Sequence, residues 1–171
     1  MTRLRGLRVA ALTALLATAC ASPRPFTDDL ENKPWDALKT LLPPYPKDDR
    51  LIPFSVDPSR PFAFFVDRDS INVVQDGPLR YTLVARSSSG ASNVSYEAIR
   101  CETLERRTYA FGRTDGTWAQ ARNPQWLPID RSQPNQQMTL ANDFLCTAPP
   151  LRTADEAVQA LTRRNSPSWL R

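Results

Sequence analysis

The chain contains no histidine. That absence removes the commonest general base, the Ser-His-Asp and Cys-His arrangements, and the commonest transition-metal ligand. Five glycines among 171 residues are few for a backbone-cradled cofactor. No phosphate loop, dinucleotide fingerprint, EF-hand loop or Cys-x-x-Cys pair occurs. The longest apolar run is far short of the roughly 20 residues that span a bilayer as a helix. No cofactor and no metal are therefore expected.

The chain also lacks a basic surplus where it counts. There are 22 basic and 18 acidic residues, but Arg3, Arg5 and Arg8 lie before Cys20, and without these three the balance is 19 to 18. With no basic stripe and no interleaved aromatic platform, nucleic acid is not an expected partner.

What is present at the start reads as an address. The three arginines open a basic segment, Val9 to Ala17 form a short apolar run, and Ala17-Thr18-Ala19 places small residues before Cys20. These are the three parts of a secretory signal. Cys20 is then the expected point of lipid attachment, although Ala17-Thr18-Ala19 also fits ordinary Ala-x-Ala cleavage, and Ala17 stands where lipoprotein signals usually carry leucine. Cysteine arithmetic favours lipidation. Of three cysteines, acylation of Cys20 leaves Cys101 and Cys146, an even pair in an oxidising compartment, and a disulfide between them is expected. Ala21 is not the aspartate that often retains such proteins at the inner membrane, so the expected location is lipid-anchored, periplasm-facing and at the outer membrane.

Residues 1–19 are thus read as signal, 20–33 as a polar tether, 34–165 as a single globular domain and 166–171 as a tail. Pro34 to Leu42 predicts a short helix with Trp35, Leu38 and Leu41-Leu42 on one face, ended by Pro43-Pro44. Six prolines between 43 and 61 predict an irregular arm. Phe62–Val66, Ile71–Val74 and Leu79–Ala85 read as strands, the last two joined around Asp76-Gly77. A three-residue loop with Gly77 left-handed sets Val73 opposite Leu79, Ile71 opposite Tyr81, Asn72 opposite Arg80 and Ser70 opposite Thr82, giving one apolar and one polar face. Asn93–Cys101 reads as the returning strand, with a charged helix from Glu97 to Arg107 as its alternative. A second hairpin is expected around Asp115-Gly116, and a last short strand over Leu140–Cys146. Thr153 and Glu156 form a capping box that opens an amphipathic helix to Arg164. The predicted class is α+β: a β-rich domain of antiparallel hairpins with a short N-terminal helix and a C-terminal helix docked on the sheet.

Several strings carry a resemblance: Leu42-Pro43-Pro44-Tyr45-Pro46, Phe65-Val66-Asp67, Arg80 to Ser87, Asn93 to Glu97, Ile99-Arg100-Cys101, Tyr109 to Arg113, Asp115 to Trp118, and Trp126. Together they resemble the CNP1-like family of bacterial envelope proteins over roughly Trp35 to Cys146. The resemblance implies an exported bacterial protein of this class and lends no catalytic, binding or cofactor residues.

Three constellations bear on chemistry. Asp67, Asp69 and Glu97 offer paired carboxylates for glycoside chemistry, or are surface and turn-flanking acids. Tyr109, Trp118 and Trp126 offer an aromatic platform for a sugar or a peptide, or pack in the core. Arg80, Arg86, Arg100 and Arg113 offer anion contacts, or pair with acids across the sheet. Two function classes follow. One is a non-enzymatic envelope lipoprotein that binds an envelope protein or wall polymer, with Tyr109, Trp118, Trp126, Arg80 and Arg113 as the candidate surface. The other is a small wall-glycan hydrolase using the carboxylates.

Overall fold

A computed structural model describes residues 28–57 and 61–165. The signal, Cys20 and the tail lie outside the described residues. The rest is an α+β domain built on an antiparallel sheet of seven strands. In chain order these are β1 (Leu51–Phe54), β2 (Phe62–Val73), β3 (Leu79–Ser87), β4 (Ser92–Arg100), β5 (Glu105–Gly112), β6 (Trp118–Gln120) and β7 (Leu127–Pro128). Strands β1 to β6 are spatial neighbours in sequence order, and β7 pairs with β5 below β6. Such a meander needs only tight local connections, as its turn-rich sequence demands.

One face of the sheet carries the main core. Phe54, Phe64, Val66, Leu79, Tyr81, Leu83 and Ile99 meet a helical layer that supplies Leu140, Phe144, Leu145, Ala157 and Leu161. That layer is α2 (Gln136–Thr139), which continues as a π-helical segment over Leu140–Leu145, and α3 (Ala154–Asn165). The Thr153 hydroxyl accepts from the Glu156 N–H at 3.2 Å, while the Glu156 carboxylate accepts from the Arg152 N–H at 2.7 Å, so α3 is capped from both sides of its start. Small Ala157 lets α3 approach the sheet closely, and Leu161 is fully buried beside it. The Cys101–Cys146 disulfide joins the end of β4 to the end of the π-helical segment, with Cα atoms 5.3 Å apart.

The opposite face is covered by residues 28–42. Leu30 and Leu38 pack on Tyr96, Ala98, Tyr109 and Ala110, with Trp35, Leu42, Trp118 and Trp126 around them. Helix α1 (Trp35–Lys39) turns Leu38 inward and leaves Leu41 half exposed. This cover corrects two expectations. The tether does not extend to residue 33, because Asp28 and Leu30 are buried. Nor does the polar face of the β2–β3 hairpin meet water: Arg80 and Thr82 are buried, although next to the turn the register is the predicted one, with Asn72 opposite Arg80 and Val73 opposite Leu79; beyond it Ile71 and Tyr81 are not paired, and Thr82 stands opposite Asp67, not Ser70.

Other differences have local causes. The register shifts between Asp67 and Asn72, where Ser70 fills the gap by accepting from the Thr82 N–H and donating to the Asp67 carbonyl, both at 2.7 Å. In the turn, Asp76 and not Gly77 is left-handed, with φ of 52°. Pro78 drives the residue before it to extended backbone, so the positive φ moves back to aspartate, which tolerates it. The proline arm contains β1, for a proline within an edge strand costs no ladder bond that the sheet needs. Leu140–Leu145 is helical because a strand there would turn Phe144 and Leu145 to opposite sides, whereas both are buried in the main core. The returning strand is β4, not a helix over 97–107.

Gly112 sits where a methyl group has no room. A Cβ there would lie 2.7 Å from the Val94 Cβ and 2.8 Å from the Tyr45 ring. Gly112→Ala is expected to destabilise the domain by about 1–3 kcal/mol, as overpacking does. Gly112→Ala with Val94→Ala should recover part of that loss in urea denaturation; an unchanged midpoint in the single variant would show that β5 and Tyr45 yield freely.

Candidate functional site

The covered face holds a buried charge cluster. Asp28, whose side chain is wholly buried, accepts from Arg80 Nη2 at 2.8 Å and from the Tyr109 hydroxyl at 2.8 Å, and lies 3.9 Å from Arg107. Arg80 also pairs with Asp29, whose carboxyl this contact holds below its usual range. Arg107 forms an ion pair with Glu31 at 3.0 Å. Burial and the neighbouring Asp28 push the Tyr109 phenol far up, so it stays protonated and donates. The sequence places these partners more than fifty residues apart; the meander brings Arg80, Tyr109 and Arg107 to one face, and the segment after the tether brings the acids.

Beside this cluster runs a groove of about 540 Å³ between residues 30–33 on one side and β5 with the loop from β6 to β7 on the other. Arg107, Tyr109 and Trp126 line it together with Gln120, Asn123 and Gln125. The guanidiniums of Arg100 and Arg107 lie 4.2 and 5.9 Å from the centre of the Trp126 ring. A second cavity of about 530 Å³ lies at the disulfide, among Val73, Leu79, Leu145 and Leu151.

The model of the CNP1-like family matches residues 30–162. The chain belongs to the CNP1-like family. No curated protein and no solved structure matches it.

Within this CNP1-like domain the expected site residues separate. Tyr109 is in the core, 1% exposed. Trp118 packs against Tyr45 and Tyr96 and donates to the Pro43 carbonyl at 2.9 Å, so it anchors the turn after α1 and lines no part of the groove. Only Trp126 of the three aromatics is both partly exposed and in the groove wall. Arg80 is committed to Asp28 and Asp29, and Arg113 is exposed in the β5–β6 turn, outside the groove. Arg86 pairs with Asp48, and Arg100 with Glu105.

Asp67 and Glu97 do not form a pair. Asp67 stands opposite Thr82, on the outer face, while Glu97 stands opposite Tyr81, on the helix-packed face. Glu97 accepts from Ser95 at 2.7 Å, Gln137 at 3.1 Å and Tyr81 at 3.5 Å, a network that ties α2 to the sheet. Asp69 is held low by Arg50, which it meets at 2.7 Å. Burial raises Asp67. Among the described residues no three His, Cys, Asp or Glu side chains are grouped to hold a metal, and no helix is long and apolar enough to cross a membrane.

Sequence reasoning missed Gln120, Asn123 and Gln125. They fall in a loop-rich stretch without periodicity, and their shared placement follows only from the pairing of β6 and β7 along the same edge of β5.

Proposed function

We propose that this CNP1-like protein is a lipid-anchored envelope protein, exported through its N-terminal signal and acylated at Cys20, which binds an envelope protein or wall polymer without transforming it. The placement of the carboxylates carries the non-enzymatic part: Asp67 and Glu97 are on opposite faces of the sheet, so they cannot flank one glycosidic bond. The disulfide supports the oxidising compartment, because such bonds persist outside the cytosol. The groove supports binding, being of a size that takes a ligand.

Incubation of the full-length protein with isolated wall polymer should release no reducing ends above the blank. Turnover that disappears in Asp67→Asn or Glu97→Gln, in a variant with the wild-type urea midpoint, would establish the hydrolase instead.

A further inference from the structure

We propose that the groove between residues 30–33 and the β5–β7 edge binds a saccharide chain of hydroxyl- and acetamido-bearing rings. This deepens the binding reading above by naming the ligand class.

Four amide side chains lie around the groove: Asn32, Gln120, Asn123 and Gln125. All four are exposed, and none of their amides makes a hydrogen bond among the described residues. The buried Gln137 and the helix-capping Asn135, elsewhere in the domain, are committed. Gln137 donates to Glu97, and Asn135 donates to the Asp130 and Gln133 carbonyls. An amide offers a donor and an acceptor from one side chain, which matches a sugar hydroxyl that gives and accepts at once, and matches an acetamido group pair for pair.

The wall behind these amides is a second and independent feature. Arg107 lines the groove at 5% exposure, and its Nε donates to nothing among the described residues. A buried, unpaired donor is costly, and a ligand acceptor removes that cost. The rest of its charge is met by Glu31 and Asp28, so the groove offers hydrogen bonds more than net charge. An anionic ligand would find Arg107 already paired with Glu31 and Asp28, with Lys33 as the one lining cation that makes no ion pair among the described residues. A wholly apolar one would face amides that it leaves unsolvated.

The test is titration of the full-length protein in detergent micelles with a linear tetramer of β-1,4-linked N-acetylglucosamine, read by NMR shifts of the side-chain amides. Tetra-alanine serves as the peptide control. Saturable binding of the sugar is expected, weakened about tenfold in the Asn123→Ala/Gln125→Ala double variant, as the loss of one or two net hydrogen bonds requires. Both positions are exposed, so the variant should keep the wild-type urea midpoint. No saturable binding by folded wild type overturns the proposal. So does undiminished binding by the variant, or binding of the peptide in place of the sugar with the same dependence on Asn123 and Gln125. Shorter oligomers appearing during the titration would contradict the non-enzymatic reading while leaving the groove assignment intact.

Discussion

Replacing Cys101 and Cys146 together by alanine is expected to lower stability by about 4 kcal/mol. The bond closes a segment with a sequence separation of 45, and fixing its ends removes that much entropy from the unfolded chain in the loop-closure treatment. Domains of this size have about 5–15 kcal/mol in all, so the loss is a large share. In melting temperature it corresponds to a drop of about 10–20 °C. The placement explains why the effect should be near the full value. The closed segment includes β5, β6, β7, the loop that carries Pro134, and α2, and the bond ties the π-helical segment of the inner layer directly to the end of β4. Urea denaturation of oxidised wild type, reduced wild type and the double variant separates loop closure from side-chain change. A loss under about 1 kcal/mol would mean that packing of Leu140, Phe144 and Leu145 alone holds the layer in place.

Asp28→Ala is expected to cost about 3 kcal/mol, the lower end of the range for removing one partner of a buried ion pair. Arg80 and Arg107 are each 5% exposed and would lose a shared carboxylate, and the Tyr109 hydroxyl would lose its acceptor. Asp29 and Glu31 remain to pair with the two arginines, which keeps the loss from the upper end. Combining Asp28→Ala with Arg80→Met should recover more than half of it, because an apolar pair of similar volume replaces a buried ion pair at little cost. An Asp28→Ala loss below about 1 kcal/mol, with no recovery in the pair, would show that residues 28–33 lift off and let water reach the arginines.

These two features differ in how far the sequence discloses them. The disulfide follows from counting cysteines once Cys20 is set aside. The β2–β3 register follows from Asp76-Gly77 and the alternation of Ile71, Val73, Leu79 and Tyr81, and it is present at Asn72–Arg80 and Val73–Leu79. The Asp28 cluster has no such local signal. A polar stretch after a signal looks like a linker, and only the folded sheet shows that Arg80 needs a buried partner. The π-helical segment is hidden for a related reason: six residues of mixed apolar character fit a strand or a helical turn equally until the inner layer selects one. At the site, aromatic residues drew attention by type, yet Trp118 lies outside the groove, Tyr109 reaches its wall only as a buried core residue, and of the three Trp126 alone is partly exposed there. The amides that line it are unremarkable singly and become informative as an uncommitted set.

Mass spectrometry of the N-terminal peptide, from protein extracted out of native membranes, tests the envelope reading most directly. Ordinary cleavage after Ala19 and lipoprotein processing both leave Cys20 first in the chain, so the modification decides between them. The predicted result is a Cys20 carrying two or three acyl chains, with residues 1–19 absent. A Cys20 with an unmodified thiol, or a chain that retains residues 1–19, would contradict it.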